Sequence, residues 1–129
     1  MTVNSGRSAR GTVLIVDDDR FIIDFIESAL QDEGYLVFAT VGESAVQIAR
    51  DLHPDMILLD IMMPGMGGAE ISRRLRDDPT TASIPIIVMS AQDRLRNASL
   101  IAFADDRLPK PFDLDRLYSI VAQWTRPIE

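Results

Sequence analysis

Five short apolar runs, each followed by a stretch of helical periodicity, leave this chain few ways to fold. The runs are VLIV (13–16), YLVFA (35–39), MILL (56–59), IPIIVM (84–89) and a weaker one around Arg107 and Leu108. They are rich in Val, Ile and Leu and do not alternate with polar residues. Such runs suit strands buried on both faces, which is the habit of parallel sheets. Between them, residues 20–33 place Ile22, Ile26, Ala29 and Leu30 on one helical face and stop at Gly34. Residues 43–52 repeat the pattern with Ala45, Ile48, Ala49 and Leu52. The same spacing predicts helices over 68–76 (Ile71, Leu75), 93–103 (Leu95, Leu100, Ile101) and 113–124 (Leu114, Leu117, Ile120, Val121). Asp113 is placed to cap the last of these, and Pro127 follows its end. Strand and helix alternate five times, so right-handed crossovers should wind a parallel α/β sheet with helices on both faces, a three-layer αβα sandwich.

The 129 residues suffice for one domain, which the pattern places at 12–125. Residues 1–11 (MTVNSGRSARG) lack apolar periodicity and are expected to form a flexible leader, with 126–129 as a short C-terminal tail. The chain has no cysteine, which excludes disulfides and thiolate metal sites. No apolar run approaches the roughly 20 residues of a membrane span, and the polar N-terminus is unlike a signal peptide, so the cytoplasm is the expected location. A net charge of −7 is the wrong sign for general attraction to phosphate backbones, so direct nucleic-acid binding is not expected.

In a doubly wound sheet, ligands bind in the crevice beyond the carboxyl ends of the strands. The first strand ends in Asp17, Asp18 and Asp19, the third in Asp60 followed by IMMPGMGG, and the fourth in Ser90 followed by Ala91. The fifth leads into Pro109-Lys110-Pro111-Phe112. Each piece has an ordinary explanation by itself: a helix cap, a turn acid, a turn hydroxyl, a solvated lysine. Their arrival together at the ligand edge does not. Clustered oxygens without His or Cys suit a hard cation such as Mg²⁺, with Mn²⁺ as a substitute. A carboxylate can attack phosphorus to give an acyl phosphate. The incoming phosphoryl group then needs a cation, an ammonium and a hydroxyl around it. Asp60 stands apart from the cluster, at the end of the strand expected to be central, and is the natural acceptor.

VDDD, LLDIMMPGMGG, a strand ending in SA, and KPF, in this order, resemble the receiver domain of two-component response regulators, from about Gly11 to Trp124. The resemblance implies a flavodoxin-like sheet of strand order 2-1-3-4-5. It implies phosphorylation of Asp60 by a phosphohistidine on a histidine kinase or histidine phosphotransfer protein. It also implies a metal held by Asp18 directly, by Asp17 chiefly through water, by Asp60 and by the backbone carbonyl of Met62. Ser90 would be the switch hydroxyl and Lys110 the phosphate ion pair, with a cis bond between Lys110 and Pro111. Asp19 falls outside this set and should cap the first helix. A downstream protein, and a phosphorylation-dependent homodimer, are the expected partners. Met62 and Gln92 flank the expected path of attacking water. The sole histidine, His53, lies at a helix–strand turn away from this edge and is an ordinary loop residue.

The sequence departs from the family around its switch. Arg107 stands where an aromatic is usual, Phe103 stands where a small residue is usual, and the segment from Ser90 to Lys110 is slightly short. Arg107 is expected at the surface, either solvated or paired with a nearby acid such as Asp105 or Asp106 or with an acidic partner, and Phe103 is expected to fill the apolar space that the aromatic would reach. Two alternatives accompany the main reading. Asp17-x-Asp19 also fits a Mg²⁺-dependent phosphohydrolase of the haloacid dehalogenase type, with Asp17 as nucleophile, although Asp60 would then be unexplained. A degenerate receiver that only binds proteins is disfavoured by the intact acids, Ser90 and Lys110.

Overall fold

Val13, Leu14, Ile15 and Val16 are all fully buried, so the first apolar run has no solvent face. In the computed structural model, which describes residues 10–63 and 65–125, this run belongs to β1 (Thr12–Val16). It is followed by α1 (Arg20–Asp32), β2 (Leu36–Thr40), α2 (Ser44–Leu52), β3 (Met56–Asp60), α3 (Gly68–Asp77), β4 (Ile86–Ala91), β5 (Asp106–Lys110) and α4 (Leu114–Thr125). The five strands are parallel, in the order β2-β1-β3-β4-β5. This is the flavodoxin-like sheet the sequence led us to expect. Residues 1–9 of the expected leader, Pro64, and the tail 126–129 with Pro127 lie outside the described residues.

Because strand side chains alternate between faces, each central strand feeds two cores. Val13, Ile15, Met56, Leu58, Ile87, Met89 and Leu108 face α1 and α4. Leu14, Val16, Ile57, Leu59, Ile86 and Val88 face α2 and α3. β3 lies at the centre of the sheet, and every one of its residues is buried. The edge strands are more exposed, and Pro109, which has no N–H to donate, sits in edge strand β5, where the ladder tolerates it.

The helices follow the sequence pattern with three exceptions, the slightest being Leu114, expected on the inner face of α4 but exposed. In α1 the buried set is Ile23, Ile26, Ala29 and Leu30, so Ile23 takes the inward place expected of Ile22, which is half-buried. The helix expected over 93–103 is absent. Only a 3₁₀ turn at Arg94–Arg96 forms, ending at Asn97, whose backbone is extended (φ −80°, ψ 109°). The Asn97 side chain accepts the Ser99 N–H at 2.9 Å, a local turn that competes with helical bonding. Leu95, Leu100 and Ile101 are spaced by five and then one, too uneven for a continuous apolar stripe.

Among the described residues, no helix is long and apolar enough to cross a membrane.

Candidate functional site

Parallel register delivers the chemistry to one edge. Val16 pairs with Leu59, Asp60 with Met89, Ser90 with Pro109 and Ala91 with Lys110, so the residues that end β1, β3, β4 and β5 emerge side by side. Asp17, the first residue past β1, is completely buried, and its N–H donates to the Thr40 carbonyl at 3.2 Å. One of its carboxylate oxygens accepts the Asp19 N–H at 2.9 Å, while the other accepts from Lys110 Nζ at 3.1 Å. Asp18 is exposed. Asp19 is the N-cap of α1, accepting the N–H groups of Phe21 (2.9 Å) and Ile22 (3.4 Å), which satisfies donors that the first helical turn leaves free. The triplet thus divides its labour: one acid caps a helix and two face the site.

Asp60 is 6% exposed. Its Oδ1 accepts the Met62 N–H at 3.2 Å and lies 3.8 Å from Lys110 Nζ. Burial, and then the neighbouring Asp17 carboxylate, push the Asp60 carboxyl up to about 6, against the opposing pull of Lys110 and of the Met62 N–H. A single ammonium therefore serves two acids and is nearer to Asp17. Oxygens of Asp17, Asp18 and Asp60 lie within 4.8 Å of one another, a hard, all-oxygen donor set that fits a Mg²⁺-like cation. Ser90 is buried one residue before the end of β4, and the peptide bond between Lys110 and Pro111 is cis.

The periphery differs from expectation. Arg107 is exposed but pairs with neither Asp105 nor Asp106: its guanidinium donates to the Leu95 carbonyl at 3.3 Å. Both acids are engaged elsewhere, Asp105 by Arg76 and the Ile86 N–H, and Asp106 by Trp124 Nε1 at 2.9 Å. Phe103 is 38% exposed and joins neither core, so it does not fill the apolar space assigned to it. Met62 is also exposed, and its sulfur accepts from Arg94 at 3.6 Å. His53 caps the C-terminus of α2 in the left-handed conformation (φ 51°) and is exposed, which agrees with a loop role.

One positioning residue escaped the sequence. A Cβ on Gly68, the first residue of α3, would lie 2.5 Å from the Asp60 carbonyl oxygen. The Gly67-Gly68 pair was its only signal.

Residues 13–122 match the family described as the response regulator receiver domain. Response regulator MprA of Mycobacterium sp. (strain KMS) is 42% identical over 108 residues, which are 81% of this chain and 46% of that protein. Response regulator PleD of Caulobacter vibrioides (strain NA1000 / CB15N) is 42% identical over 118 residues, 88% of this chain and 26% of that one. The chain thus spans less than half the length of these curated relatives. Among solved structures, a response regulator from Chloroflexus aurantiacus J-10-fl is similar at a TM-score of 0.83 and 33% identity, covering 91% of this chain and 98% of the other. The receiver domain of a sensor histidine kinase from Pseudomonas aeruginosa PAO1 is similar at a TM-score of 0.82 and 30% identity, covering 91% and 98%. That structure has a magnesium ion coordinated in its active-site cleft.

Proposed function

The chain belongs to the response regulator receiver domain family, the phosphoacceptor signalling domain of two-component systems, and on that premise we propose that Asp60 is the residue that takes the phosphoryl group. The observation that carries this is the placement of Asp60 at the end of the central strand, nearly buried, with Lys110 Nζ 3.8 Å from Oδ1. A carboxylate oxygen of Asp60 attacks the phosphorus of a phosphohistidine on a histidine kinase or phosphotransfer protein. The O–P bond forms as the P–N bond breaks, the bonding pair goes to the ring nitrogen, and the proton on the other ring nitrogen leaves the departing imidazole neutral. Asp17, Asp18, Asp60 and the Met62 carbonyl would hold Mg²⁺, which supplies charge neutralisation for the transferring group. Asp17 is fully buried and bonded to both Lys110 and the Asp19 N–H, so it holds the lysine in place rather than acting as nucleophile. Lys110 pairs with the phosphoryl oxygens once they arrive, and the Ser90 hydroxyl donates to one of them. No external substrate is turned over.

Intact-mass measurement with acetyl phosphate and Mg²⁺, followed by mapping of the modified residue, tests the assignment. One phosphoryl group on Asp60, absent in Asp60→Asn, is the expected result. Undiminished labelling of that variant, mapped to Asp17, would overturn it.

A further inference from the structure

Methionine exposure is uneven in this chain. Among the described residues, Met56 and Met89 are fully buried, Met63 is 9% exposed and Met66 packs partly buried against a core, whereas Met62 is 45% exposed. The Met62 sulfur stands 3.6 Å from Arg94 Nη1 and is the one hydrogen-bond partner of the Arg94 side chain among the described residues. A thioether is a weak acceptor, so this guanidinium keeps donors that the protein does not use. Residue 62 is also tied to the acceptor, because its N–H donates to Asp60 Oδ1 at 3.2 Å. Arg94 begins the 3₁₀ turn that follows β4, the strand that carries Ser90. The Met62–Arg94 pair thus bridges the loops after β3 and β4, and a phosphoryl group bound by Asp60 and Ser90 has to be admitted between those strand ends.

We propose that Met62 is a site of reversible oxidation by peroxide, and that its sulfoxide, held by Arg94, slows phosphorylation of Asp60. A sulfur lone pair attacks one oxygen of hydrogen peroxide, and the O–O bond breaks. The departing hydroxide takes the proton from the transferred oxygen, so the sulfur is oxidised to a sulfoxide and the peroxide is reduced to water. The sulfoxide oxygen carries negative charge that a thioether sulfur lacks, and a guanidinium donates to it in a charge-assisted hydrogen bond. A loose contact becomes a latch across the two loops. The fold tolerates this change because Met62 belongs to neither core, whereas a sulfoxide at Met56 or Met89 would bury a polar group without a partner. A methionine sulfoxide reductase returns the thioether, which makes the modification a switch. The effect on phosphorylation rests on Asp60 being the acceptor; the oxidation and the latch do not.

The test treats the full chain with hydrogen peroxide, removes the excess with catalase and locates sulfoxides by peptide mapping. The rate of Asp60 labelling by acetyl phosphate and Mg²⁺ is then measured before and after treatment. Met62 is expected to oxidise well ahead of Met56, Met63, Met66 and Met89. Labelling of the oxidised chain should fall about threefold or more, the order of one added hydrogen bond, and recover with a methionine sulfoxide reductase. Met62→Leu should label at the same rate before and after peroxide. Arg94→Ala should still oxidise at Met62 but show no change in its labelling rate. The latch is read separately from the Arg94 side-chain resonance of the ¹⁵N-labelled chain, which should shift on oxidation in the parent and not in Met62→Leu. If no protein is labelled at Asp60, the acceptor assignment fails by itself and this resonance decides the latch. Any of four results overturns the proposal: oxidation of Met66 as fast as that of Met62, an equal peroxide response in Met62→Leu, an equal response in Arg94→Ala, or an Arg94 resonance that oxidation does not move.

Discussion

A methyl group at position 68 would sit 2.5 Å from the Asp60 carbonyl oxygen and 2.6 Å from Ile61 Cα, closer than side-chain carbons approach backbone. The Gly68 N–H donates to the Ile61 carbonyl at 2.9 Å, so α3 starts pressed against the segment that carries the acceptor. Gly68→Ala must push that segment aside, and its expected cost is about 1–3 kcal/mol, the range for overpacked sites. A methyl group on Gly67 would meet the Ile61 carbonyl oxygen at 3.7 Å, an ordinary contact, so Gly67→Ala should change stability far less. Denaturant unfolding of both variants, with rates of labelling by acetyl phosphate, checks the contrast; equal behaviour would show that the close approach does not matter. The sequence showed two adjacent glycines but not which one touches the backbone of β3, because that depends on where α3 lands. The edge position of Asp17, Asp18, Asp60, Ser90 and Lys110 was legible for the opposite reason: each lies within two residues of a strand's end, and parallel register carries it to the edge whatever the helices do. Arg107 was not, since its bond to the Leu95 carbonyl rests on a turn that no periodicity announced.

Strands were the most readable elements because burial on both faces leaves the whole run apolar, as in MILL and VLIV, whereas helices were read from one face and slipped where that face was ambiguous. Ile22 and Ile23 both fit an apolar stripe, and packing against the β1–β3 face chose Ile23. The missing helix over 93–103 is the larger failure, decided by the Asn97 turn and by uneven apolar spacing. Helix α3 shows what polar side chains do on a helix that packs through Ile71 and Leu75. Glu70 bonds Arg73 and Arg74, and those hydrogen bonds hold its carboxyl down at about 2 instead of 4.5. A carboxyl lowered on folding contributes stability above its unfolded value and loses it as pH falls through its folded value. The stability difference between the parent and Glu70→Gln should therefore be fully present above about 4.5 and fade as pH falls towards about 2. Because the group is exposed, the difference should be small and should shrink in salt. Thermal melts of both proteins across that pH range check this. The longer link from α3, Arg76, donates to the Ala82 and Ile84 carbonyls and to Asp105, tying the end of α3 to the starts of β4 and β5. Arg76→Ala leaves part-buried carbonyls without that donor and should cost about 1–3 kcal/mol in denaturant unfolding.

At the scale of the whole molecule, three carboxylates within 4.8 Å of one another work against the fold that assembles them. Asp17 and Asp60 are buried, one ammonium is shared between them, and the chain already carries −7. Like charges this close repel most strongly where water is excluded. The unfolded chain separates them, so a cation that binds only the folded arrangement should stabilise it by mass action. At a Mg²⁺ concentration one hundred times the dissociation constant, that linkage is worth about 2.7 kcal/mol. For a domain of this size it corresponds to a rise of roughly 10 °C in melting temperature. Asp18→Ala removes an exposed carboxylate that has no ion-pair partner among the described residues, so its metal-free fold should be as stable as the parent or more so, while most of the Mg²⁺ response disappears. Asp60→Asn should also raise metal-free stability, because it removes a buried charge that both desolvation and Asp17 oppose. Lys110→Ala should do the reverse, leaving Asp17 and Asp60 without their cation. Melting curves of the four proteins with and without Mg²⁺ distinguish these outcomes. An unchanged Mg²⁺ shift in Asp18→Ala would remove Asp18 from the metal site, and a metal-free Lys110→Ala as stable as the parent would show that carboxylate crowding is not what limits the fold.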